Sequence, residues 1–345
     1  MEHTALIAMS GGVDSAVAAY LTRQAGFSCV GATMHLHGEF TGTEDARQVA
    51  ERLGMPFHVL DFQAEFRSLV MDDFVTCYER GLTPNPCVVC NRKLKFGLLL
   101  AAAAELGCQV TVTGHYARIA RENGRYVLRK AADAAKDQSY FLYALTQDQL
   151  AKIRFPLGEL TKEQAREIAL QQGFVNAKKR DSQDVCFIPD GDYYAFLQRH
   201  TGKTYPQGDF LDSDGNIVGK HNGAAAYTLG QRKGLGLAMG APVYVCGKDM
   251  AANTVTVGPN EMLFHRALRA NDWFFHPFDA LTEPIRILAK ARSRMTEQPA
   301  TVYPEENGFA RVEFDEPQRA ITPGQAVVLY DGDTVIGGGT ITEVL

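Results

Sequence analysis

The sequence lacks the features of membrane and secreted proteins. No run among its 345 residues approaches the roughly 20 apolar residues that cross a bilayer. Residues 1–10 contain neither the basic segment nor the cleavage site of a secretory signal. The seven cysteines are odd in number and widely spread, unlike the dense pairs of small secreted domains. We therefore expect a cytoplasmic protein with reduced thiols and no membrane attachment.

An excess of positive charge is also absent. The chain has 35 Lys and Arg residues against 40 Asp and Glu residues, which gives a formal net charge of -5. This balance excludes a protein that coats nucleic acid indiscriminately, although a local basic surface could still bind one. Hydrophobic residues make up 46% and charged residues 22%, which is typical of a globular protein with a normal core.

The apolar pattern changes along the chain. Up to residue 113, apolar runs alternate with helical segments, which predicts an α/β fold with a parallel sheet covered on both faces. From about residue 201 the chain is rich in glycine turns, and from about residue 270 it shows short alternating strands typical of a small antiparallel barrel. We predict a catalytic domain over residues 1–200, a small central domain over 201–265 and a barrel-like domain over 266–345.

The individual elements of the first domain follow from the same pattern. The predicted strands are 4–9, 28–34, 56–61 and 109–113, and the predicted helices are 13–25, 44–53, 63–80 and 91–106.

A glycine-rich loop, SGGVDS at residues 10–15, joins the first predicted strand to the first helix. Gly11 and Gly12 would let the backbone approach an anion at the helix N-terminus. The loop lacks the lysine that the P-loop of kinases carries before its Ser or Thr. Asp14 instead puts a carboxylate beside the anion, which requires a bridging Mg²⁺ ion. The pattern predicts a Mg²⁺-bound pyrophosphate group held as a leaving group, and the alternative is an ordinary helix-capping turn.

Because this loop is expected outside the core, Asp14→Asn should abolish nucleotide chemistry and leave the fold intact.

Two cysteines stand in unusual surroundings. Cys90 precedes the helix predicted from Asn91, whose dipole would lower the thiol pKa together with Arg92, Lys93 and Lys95. The C-x-x-C pair of Cys87 and Cys90 also fits a zinc site, but no second C-x-x-C is present. Cys186 lies in the apolar run VCFI, where the alternative is a buried inert thiol. The cysteines assigned to packing are Cys29, Cys77, Cys108 and Cys246.

Six ordered blocks carry a resemblance to known proteins. SGGVDS resembles the PP-loop of ATP pyrophosphatases, which cleave ATP between the α and β phosphates and attach AMP to a substrate oxygen. Together with the blocks that follow, the chain resembles bacterial tRNA-specific 2-thiouridylases over essentially its whole length. The other blocks are TPNPCVVCNRKLKF from residue 83, TGHYAR at 113–118, KDQSYFLY at 136–143, DSQDVCFI at 181–188 and LGQRKGLG at 229–236.

The resemblance implies an activity and a set of partners. ATP would adenylate the C2 oxygen of the wobble uridine in tRNA, and sulfur would replace that oxygen. Cys186 would carry a persulfide from an external sulfur donor, and Cys90 would release the sulfur and leave a Cys90–Cys186 disulfide.

The resemblance also assigns binding residues. Those for ATP are Ala8, Met9, Ser10, Gly11, Gly12, Val13, Asp14, Ser15, Met34 and Gly114. Those for the target base and tRNA are Asn85, Pro86, Cys87, His115, Lys136, Asp137, Gln138, Arg292, Ser293 and Gln325. We further expect tRNA to bind a basic strip of Arg118, Arg121, Arg125, Arg129, Lys130 and Lys136.

Cys87 departs from the family pattern, which has an aspartate there as a candidate general base. A thiol could take that role only as thiolate, so the role is doubtful for Cys87. Three cysteines, Cys87, Cys90 and Cys186, could instead hold an iron-sulfur cluster that binds the transferred sulfur. The sequence favours the persulfide relay. A synthetase acting on a small metabolite and a non-catalytic nucleotide-binding module remain the alternative functions.

Overall fold

The computed structural model describes residues 4–38, 42–179 and 185–345. Residues 181–184 of the DSQDVCFI block lie outside these ranges, whereas Cys186 lies within them. No helix among the described residues is long and apolar enough to cross a bilayer.

The strands and helices come in the following order. The strands are β1 (Thr4–Ala8), β2 (Ser28–His35), β3 (Phe57–Asp61), β4 (Val110–Val112), β5 (Arg118–Glu122), β6 (Arg125–Arg129), β7 (Ile153–Arg154), β8 (Gly208–Leu211), β9 (Ile217–His221), β10 (Tyr244–Asp249), β11 (Thr254–Gly258), β12 (Phe264–Phe275), β13 (Ile285–Lys290), β14 (Gln298–Pro304), β15 (Ala310–Arg319), β16 (Ala326–Asp331) and β17 (Thr334–Val344). The α-helices are α1 (Val13–Gln24), α2 (Thr43–Arg52), α3 (Gln63–Phe66), α4 (Asp72–Glu79), α5 (Pro86–Val89), α6 (Leu99–Glu105), α7 (Gln147–Lys152), α8 (Lys162–Gln171) and α9 (Tyr193–Thr201).

The first sheet is parallel, as predicted. Its strand order is β3-β2-β1-β4-β7, and every neighbouring pair is parallel. Leu6 and Ile7 point to opposite faces of β1 and both are fully buried, because helices cover the two faces. The α/β fold class is confirmed. The carboxyl ends of β1 and β2 open toward the glycine-rich loop, which is where open α/β sheets bind ligands.

The helix that carries Cys90 begins earlier than predicted. It starts at Pro86 rather than Asn91, and Asn85 caps it by accepting a hydrogen bond from the Val88 N–H at 3.4 Å. Proline suits the first helical position because its missing N–H would have no helical partner there. The helix continues as a π-helix over Cys90–Leu98 and then as α6. Cys90 therefore lies inside a helix and not just before one.

The last two parts of the chain are mostly β. A central four-stranded sheet has the order β10-β11-β8-β9 around a core that includes Phe210 and Val245. Six later strands close into an antiparallel barrel, because β12 pairs with both β15 and β17. The barrel-like prediction for the C-terminal segment is confirmed.

The first and last parts of the chain share a sheet. The β5–β6 hairpin belongs to the predicted first domain, yet β6 pairs with β17 of the barrel through Leu128 opposite Val335. Apolar side chains from both parts pack beneath this junction, including Tyr140 and Tyr330. Barrel residues 293–297 and the glycine-rich loop after β1 line one cavity.

Candidate active site

A cavity of about 1310 Å³ lies between the parallel sheet and the barrel. Its walls come from the glycine-rich loop, from residues 134–138 and from barrel residues 293–297. The structure thus brings together residues that the sequence assigned to ATP, sulfur transfer and tRNA. The predicted site residues that line this cavity are Ser10, Gly12, Val13, Asp14, Lys136, Asp137, Gln138, Cys186 and Ser293.

The glycine-rich loop is held in one conformation. Gly11 has φ +72°, and a Cβ at this position would collide with the Gly42 carbonyl oxygen, so only glycine fits. The Ser15 hydroxyl donates to the Gly12 carbonyl at 2.9 Å and accepts from the Ser10 N–H at 3.2 Å. The Asn176 amide donates to the Gly11 carbonyl at 3.2 Å. These bonds preorganise a loop at the N-terminus of α1, where an anion is favoured.

A lysine far along the sequence supplies the cation that the loop lacks. The Lys162 ammonium donates to both Asp14 carboxylate oxygens, at 2.7 and 2.8 Å, and the Tyr116 hydroxyl donates to Asp14 Oδ1 at 2.9 Å. The Lys162 side chain is only 3% exposed, whereas that of Asp14 is 32% exposed. A buried ammonium therefore lies beside the glycine-rich loop.

This contact corrects the expectation for Asp14→Asn. Asp14 lies in the first turn of α1, and its carboxylate forms an ion pair with the buried Lys162 ammonium. Asparagine would leave that ammonium without this counter-charge, which costs stability. The substitution is therefore expected to weaken the fold as well as the chemistry.

Sequence reasoning missed Lys162, although a signal for it was present. Thr161 and Gln164 form a capping box that begins α8, and Lys162 is the first residue of that helix. A positive charge at a helix N-terminus interacts unfavourably with the helix dipole, so an anion is expected close to Lys162. Lys179 was also missed; it lines the cavity, and its ammonium lies 2.7 Å from Asp45 and 3.4 Å from the Gly11 carbonyl.

The two residues expected beside adenine do not line the cavity. Gly114 packs directly on the start of α1, where a Cβ would lie 2.8 Å from the Asp14 carbonyl carbon. Leu36 and His37, which follow Met34 at the end of β2, line the cavity instead. The His37 ring stacks on Phe66 at 5.5 Å, and burial lowers the pKa of His37, which keeps the ring neutral at pH 7.

The three thiols differ in exposure but influence one another. Cys87 and Cys186 are exposed, Cys90 is buried, and all three are free thiols. Burial raises the pKa of Cys90, contrary to the low value expected from a helix start. Although Cys186 is exposed as a residue, the protein atoms packed around its thiol, and then the charges of Cys90 and Cys87, raise the pKa of Cys186 to about 11. In the described ranges, no group of three or more His, Cys, Asp or Glu side chains is arranged to hold a metal ion.

Lys95 is the cation that acts on these thiols. Its charge lowers the pKa of Cys87, Cys90 and Cys186, against the larger effect of burial. Residues five apart lie on one face of a π-helix, which brings Lys95 beside Cys90. Arg92 instead contacts Asp272 at 2.5 Å and packs over the Phe274 ring at 4.4 Å.

The raised thiol pKa predicts how Cys186 responds to pH. Because only the thiolate reacts, alkylation of Cys186 by iodoacetamide should rise about tenfold per pH unit from pH 7 to about 10. Lys95→Met should slow the reaction at every pH in this window, because the cation that favours thiolate is lost. Peptide mass spectrometry after timed alkylation measures both rates. A plateau below pH 8 in the wild-type protein would contradict the prediction.

His115 faces the protein interior rather than RNA. Its ring packs between Phe96 and Phe155, each 5.8 Å away, and its Nδ1 lies 2.7 Å from the Thr113 hydroxyl. Burial holds the pKa of His115 well below its ordinary value. The expected RNA contact therefore does not fit this placement, and the ring supports the sheet end beside the cavity.

Two of the predicted tRNA residues shape the cavity wall through backbone contacts. Asp137 Oδ1 accepts from the N–H groups of Ala131 and Ser139 at 3.0 and 3.2 Å. The Gln138 side-chain carbonyl accepts from the Tyr116 N–H at 2.9 Å. These bonds fix the segment that carries Lys136 toward the cavity.

The basic strip expected to bind tRNA is largely paired with acids. Arg118 lies 2.8 Å from Asp333, and Arg125 lies 2.9 Å from Asp279. Arg129 pairs with Glu122, Lys130 pairs with Glu297, and Arg121 lies over the Tyr126 ring. Most charges of the strip are therefore balanced within the protein, several of them by acids of the barrel, and the part of the strip in tRNA binding stays a prediction. Arg294 and Lys290 of the barrel line the cavity itself.

The predicted tRNA residues of the barrel divide between two places. Ser293 lines the cavity described above, whereas Arg292 and Gln325 line a second cavity of about 780 Å³ together with Pro86. Gln325 Nε2 donates to the carbonyls of Thr83 and Pro84, both at 3.0 Å. The barrel thus positions the segment that leads to Asn85 and the two cysteines after it.

Three domain-family models match the chain in order. The tRNA methyl transferase HUP domain matches residues 3–190, the tRNA methyl transferase PRC-barrel domain matches residues 194–259, and the aminomethyltransferase beta-barrel domain matches residues 265–341.

Full-length relatives carry one common name. The tRNA-specific 2-thiouridylase MnmA of Clostridium acetobutylicum is 45% identical over 99% of this chain and 100% of its own length. The protein of the same name from Moorella thermoacetica is 47% identical over 98% of this chain and 99% of its own. Among solved structures, a 4-thiouridine synthetase bound to RNA and ATP matches 58% of this chain and 50% of its own, with 15% identity and a TM-score of 0.37.

Proposed function

The chain belongs to the family of tRNA-specific 2-thiouridylases, and on that premise we propose how its site replaces the C2 oxygen of the wobble uridine in tRNA with sulfur. The enzyme is a sulfurtransferase that uses ATP. The observation that carries the mechanism is that one cavity holds both the Asp14–Lys162 pair at the nucleotide loop and the thiol of Cys186.

ATP is needed because the C2 carbonyl of a pyrimidine is a poor electrophile. Transfer of AMP to the C2 oxygen breaks the bond between the α and β phosphates and converts that oxygen into a good leaving group. The loop N–H groups bind the phosphates, and Lys162 stabilises the negative charge that develops on the departing pyrophosphate. Lys179, on the same side of the cavity, adds a second positive charge.

A Mg²⁺ ion fits the donor set at this loop. The Asp14 carboxylate faces the cavity and is a hard oxygen ligand of the kind that Mg²⁺ prefers, with ATP phosphates as its usual co-ligands. When bound, the ion would neutralise phosphate charge. The protein's own contribution is to hold Asp14 through Tyr116 and Lys162.

Sulfur arrives as a persulfide on Cys186, the cysteine that faces the cavity. The terminal sulfur attacks C2 of the adenylated uridine, and AMP departs with the former C2 oxygen. The Cys90 thiolate then attacks Sγ of Cys186, which breaks the persulfide S–S bond and leaves a Cys90–Cys186 disulfide. A thiol reductant reopens this disulfide. Cys90 is buried, which limits its reaction with thiols and oxidants in solution.

This scheme requires two macromolecular partners. The first is tRNA, and the second is a protein that donates persulfide sulfur. Because the substrate is tRNA, we expect the protein to act in the cytoplasm.

The reaction predicts a fixed stoichiometry. Purified protein given ATP, a persulfide donor and unmodified tRNA should form one AMP, one pyrophosphate and one 2-thiouridine per turnover. Chromatography of the nucleotides and nucleoside mass spectrometry of the tRNA measure all three. Detection of ADP and phosphate would contradict the pyrophosphatase step. AMP formation without tRNA, on a small metabolite, would favour the synthetase alternative.

A further inference from the structure

The C-x-x-C pair of Cys87 and Cys90 is only half used by the sulfur relay. The relay ends with a disulfide between Cys90 and Cys186, and Cys87 takes no part in it. Cys87 and Cys90 are three positions apart on one helix, which begins at Pro86. Helix geometry places such Cα atoms about 5 Å apart, within the roughly 4.4–6.8 Å that disulfides span. Redox proteins form a disulfide across the same C-x-x-C spacing.

Cys186 lies close to this pair. The residues on either side of it, Val185 and Phe187, pack in the same apolar cluster as Cys90. The charges of Cys90 and Cys87 both raise the pKa of Cys186, and the charge of Cys87 also raises the pKa of Cys90. Each thiol is therefore within electrostatic range of the other two. Cys90 is common to both pairings, because it is the C-x-x-C partner of Cys87 and the relay partner of Cys186.

The three thiols differ in how a reductant in solution can reach them. Cys90 is buried, and Cys186 faces the cavity that the nucleotide and the target base occupy in the proposed reaction. Cys87 is exposed and does not line that cavity. A reductant can therefore reach Cys87 while product still fills the cavity, whereas a disulfide between Cys90 and Cys186 is shielded from it.

Building on the proposed function, we propose that Cys87 resets the enzyme after each sulfur transfer. Its thiolate attacks Sγ of Cys90, the bond between Cys90 and Cys186 breaks, and a Cys87–Cys90 disulfide forms. The electron pair of the broken bond leaves on Cys186, which takes up a proton and is ready for the next persulfide. This exchange involves no net oxidation or reduction. An external dithiol then attacks the exposed Cys87 sulfur, reduces the Cys87–Cys90 disulfide and is itself oxidised.

The disulfide that remains after one turnover tests this proposal directly. Wild-type protein is given ATP, unmodified tRNA and a cysteine desulfurase with one equivalent of cysteine, without a reductant. Acid then stops thiol exchange by protonating thiolates, and N-ethylmaleimide labels the free thiols. Trypsin leaves Cys87 and Cys90 on one peptide, residues 81–92, and Cys186 on another, residues 181–199. Mass spectrometry should find an unlabelled 81–92 peptide with an internal disulfide and a labelled 181–199 peptide.

Cys87→Ser should instead leave the two peptides joined by a Cys90–Cys186 disulfide, with the wild-type yield of 2-thiouridine in the first turnover. With thioredoxin as the reductant, later turnovers of the variant should be about tenfold slower than those of the wild type, because the protein dithiol cannot reach the shielded disulfide. Excess dithiothreitol, a small dithiol that can enter the cavity, should restore most of the activity. Cys77→Ser, at a half-buried thiol of α4, is the matched control and should behave as the wild type.

The proposal is overturned if wild-type protein ends its first turnover with the two peptides joined, or if thioredoxin sustains Cys87→Ser at the wild-type rate. The relay between Cys90 and Cys186 would survive either result. If the wild type forms 2-thiouridine while all three thiols stay free and labelled, both the relay and the reset are wrong. If it forms no 2-thiouridine at all, the proposed function fails, and the reset fails with it.

Discussion

Cys90→Ala and Cys186→Ala should each lower 2-thiouridine formation to the detection limit while tRNA-dependent release of pyrophosphate continues. Cys186 lines the same cavity as the glycine-rich loop, but transfer of AMP to the C2 oxygen uses neither thiol, so adenylation should survive without them. Sulfur transfer needs Cys186 to carry the persulfide and Cys90 to break it. Thiouridine and pyrophosphate measured in the same reaction separate the two steps. Cys246→Ala, at a half-buried thiol on β10 of the central sheet, is the matched control and should keep full activity.

Cys87→Ala distinguishes this relay from an iron-sulfur route in the same experiment. The relay does not use Cys87, which is exposed, so this variant should retain substantial activity. A cluster held by Cys87, Cys90 and Cys186 would lose a ligand and most of its activity. Protein purified without oxygen that contains stoichiometric iron and sulfide, and thiolates tRNA from free sulfide only in that form, would refute the relay.

Lys162→Met should reduce pyrophosphate formation by on the order of 10²–10³, the usual effect of removing one preorganised group that stabilises developing charge. The effect should fall mainly on the rate of adenylation, because Lys162 acts on the leaving group rather than on tRNA. Lys152→Met, at an exposed lysine of α7, should leave the rate unchanged. Pyrophosphate release followed by a coupled assay gives the rates. Wild-type rates in Lys162→Met would remove Lys162 from the mechanism.

The ion pair between Asp14 and Lys162 also stabilises the fold. Asp14→Asn leaves the ammonium of Lys162 buried without this carboxylate, and we expect a loss of about 1.5–3 kcal/mol in the free energy of unfolding. The double variant Asp14→Asn with Lys162→Met should recover part of that loss, because it also removes the buried positive charge that the Asp14 carboxylate balanced. Urea denaturation of the three variants measures the stability effect apart from the catalytic one.

Local pattern determined much of the fold. Apolar runs such as residues 4–9 are buried on both faces of the parallel sheet, and period-2 alternation after residue 270 indicated the barrel. These signals are local because one strand or helix buries its own side chains with a fixed period. The early start of the helix at Pro86 went unpredicted although Asn85 and Pro86 form a recognisable N-terminus. The π-helical turn after it has no comparable local signature.

The sequence by itself determined the family and indicated the glycine-rich loop and the two cysteines that we propose to react, because each depends on residue types at short spacing. Only the tertiary structure decided which charges meet. It placed Lys162 on Asp14 across 148 positions of chain, paired much of the basic strip with acids of the barrel, and turned Arg292 and Gln325 toward a second cavity. Long-range pairing depends on how sheets and barrel pack together, and no local pattern encodes that distance. The pairing of Lys162 with Asp14 was therefore visible only after the chain had folded.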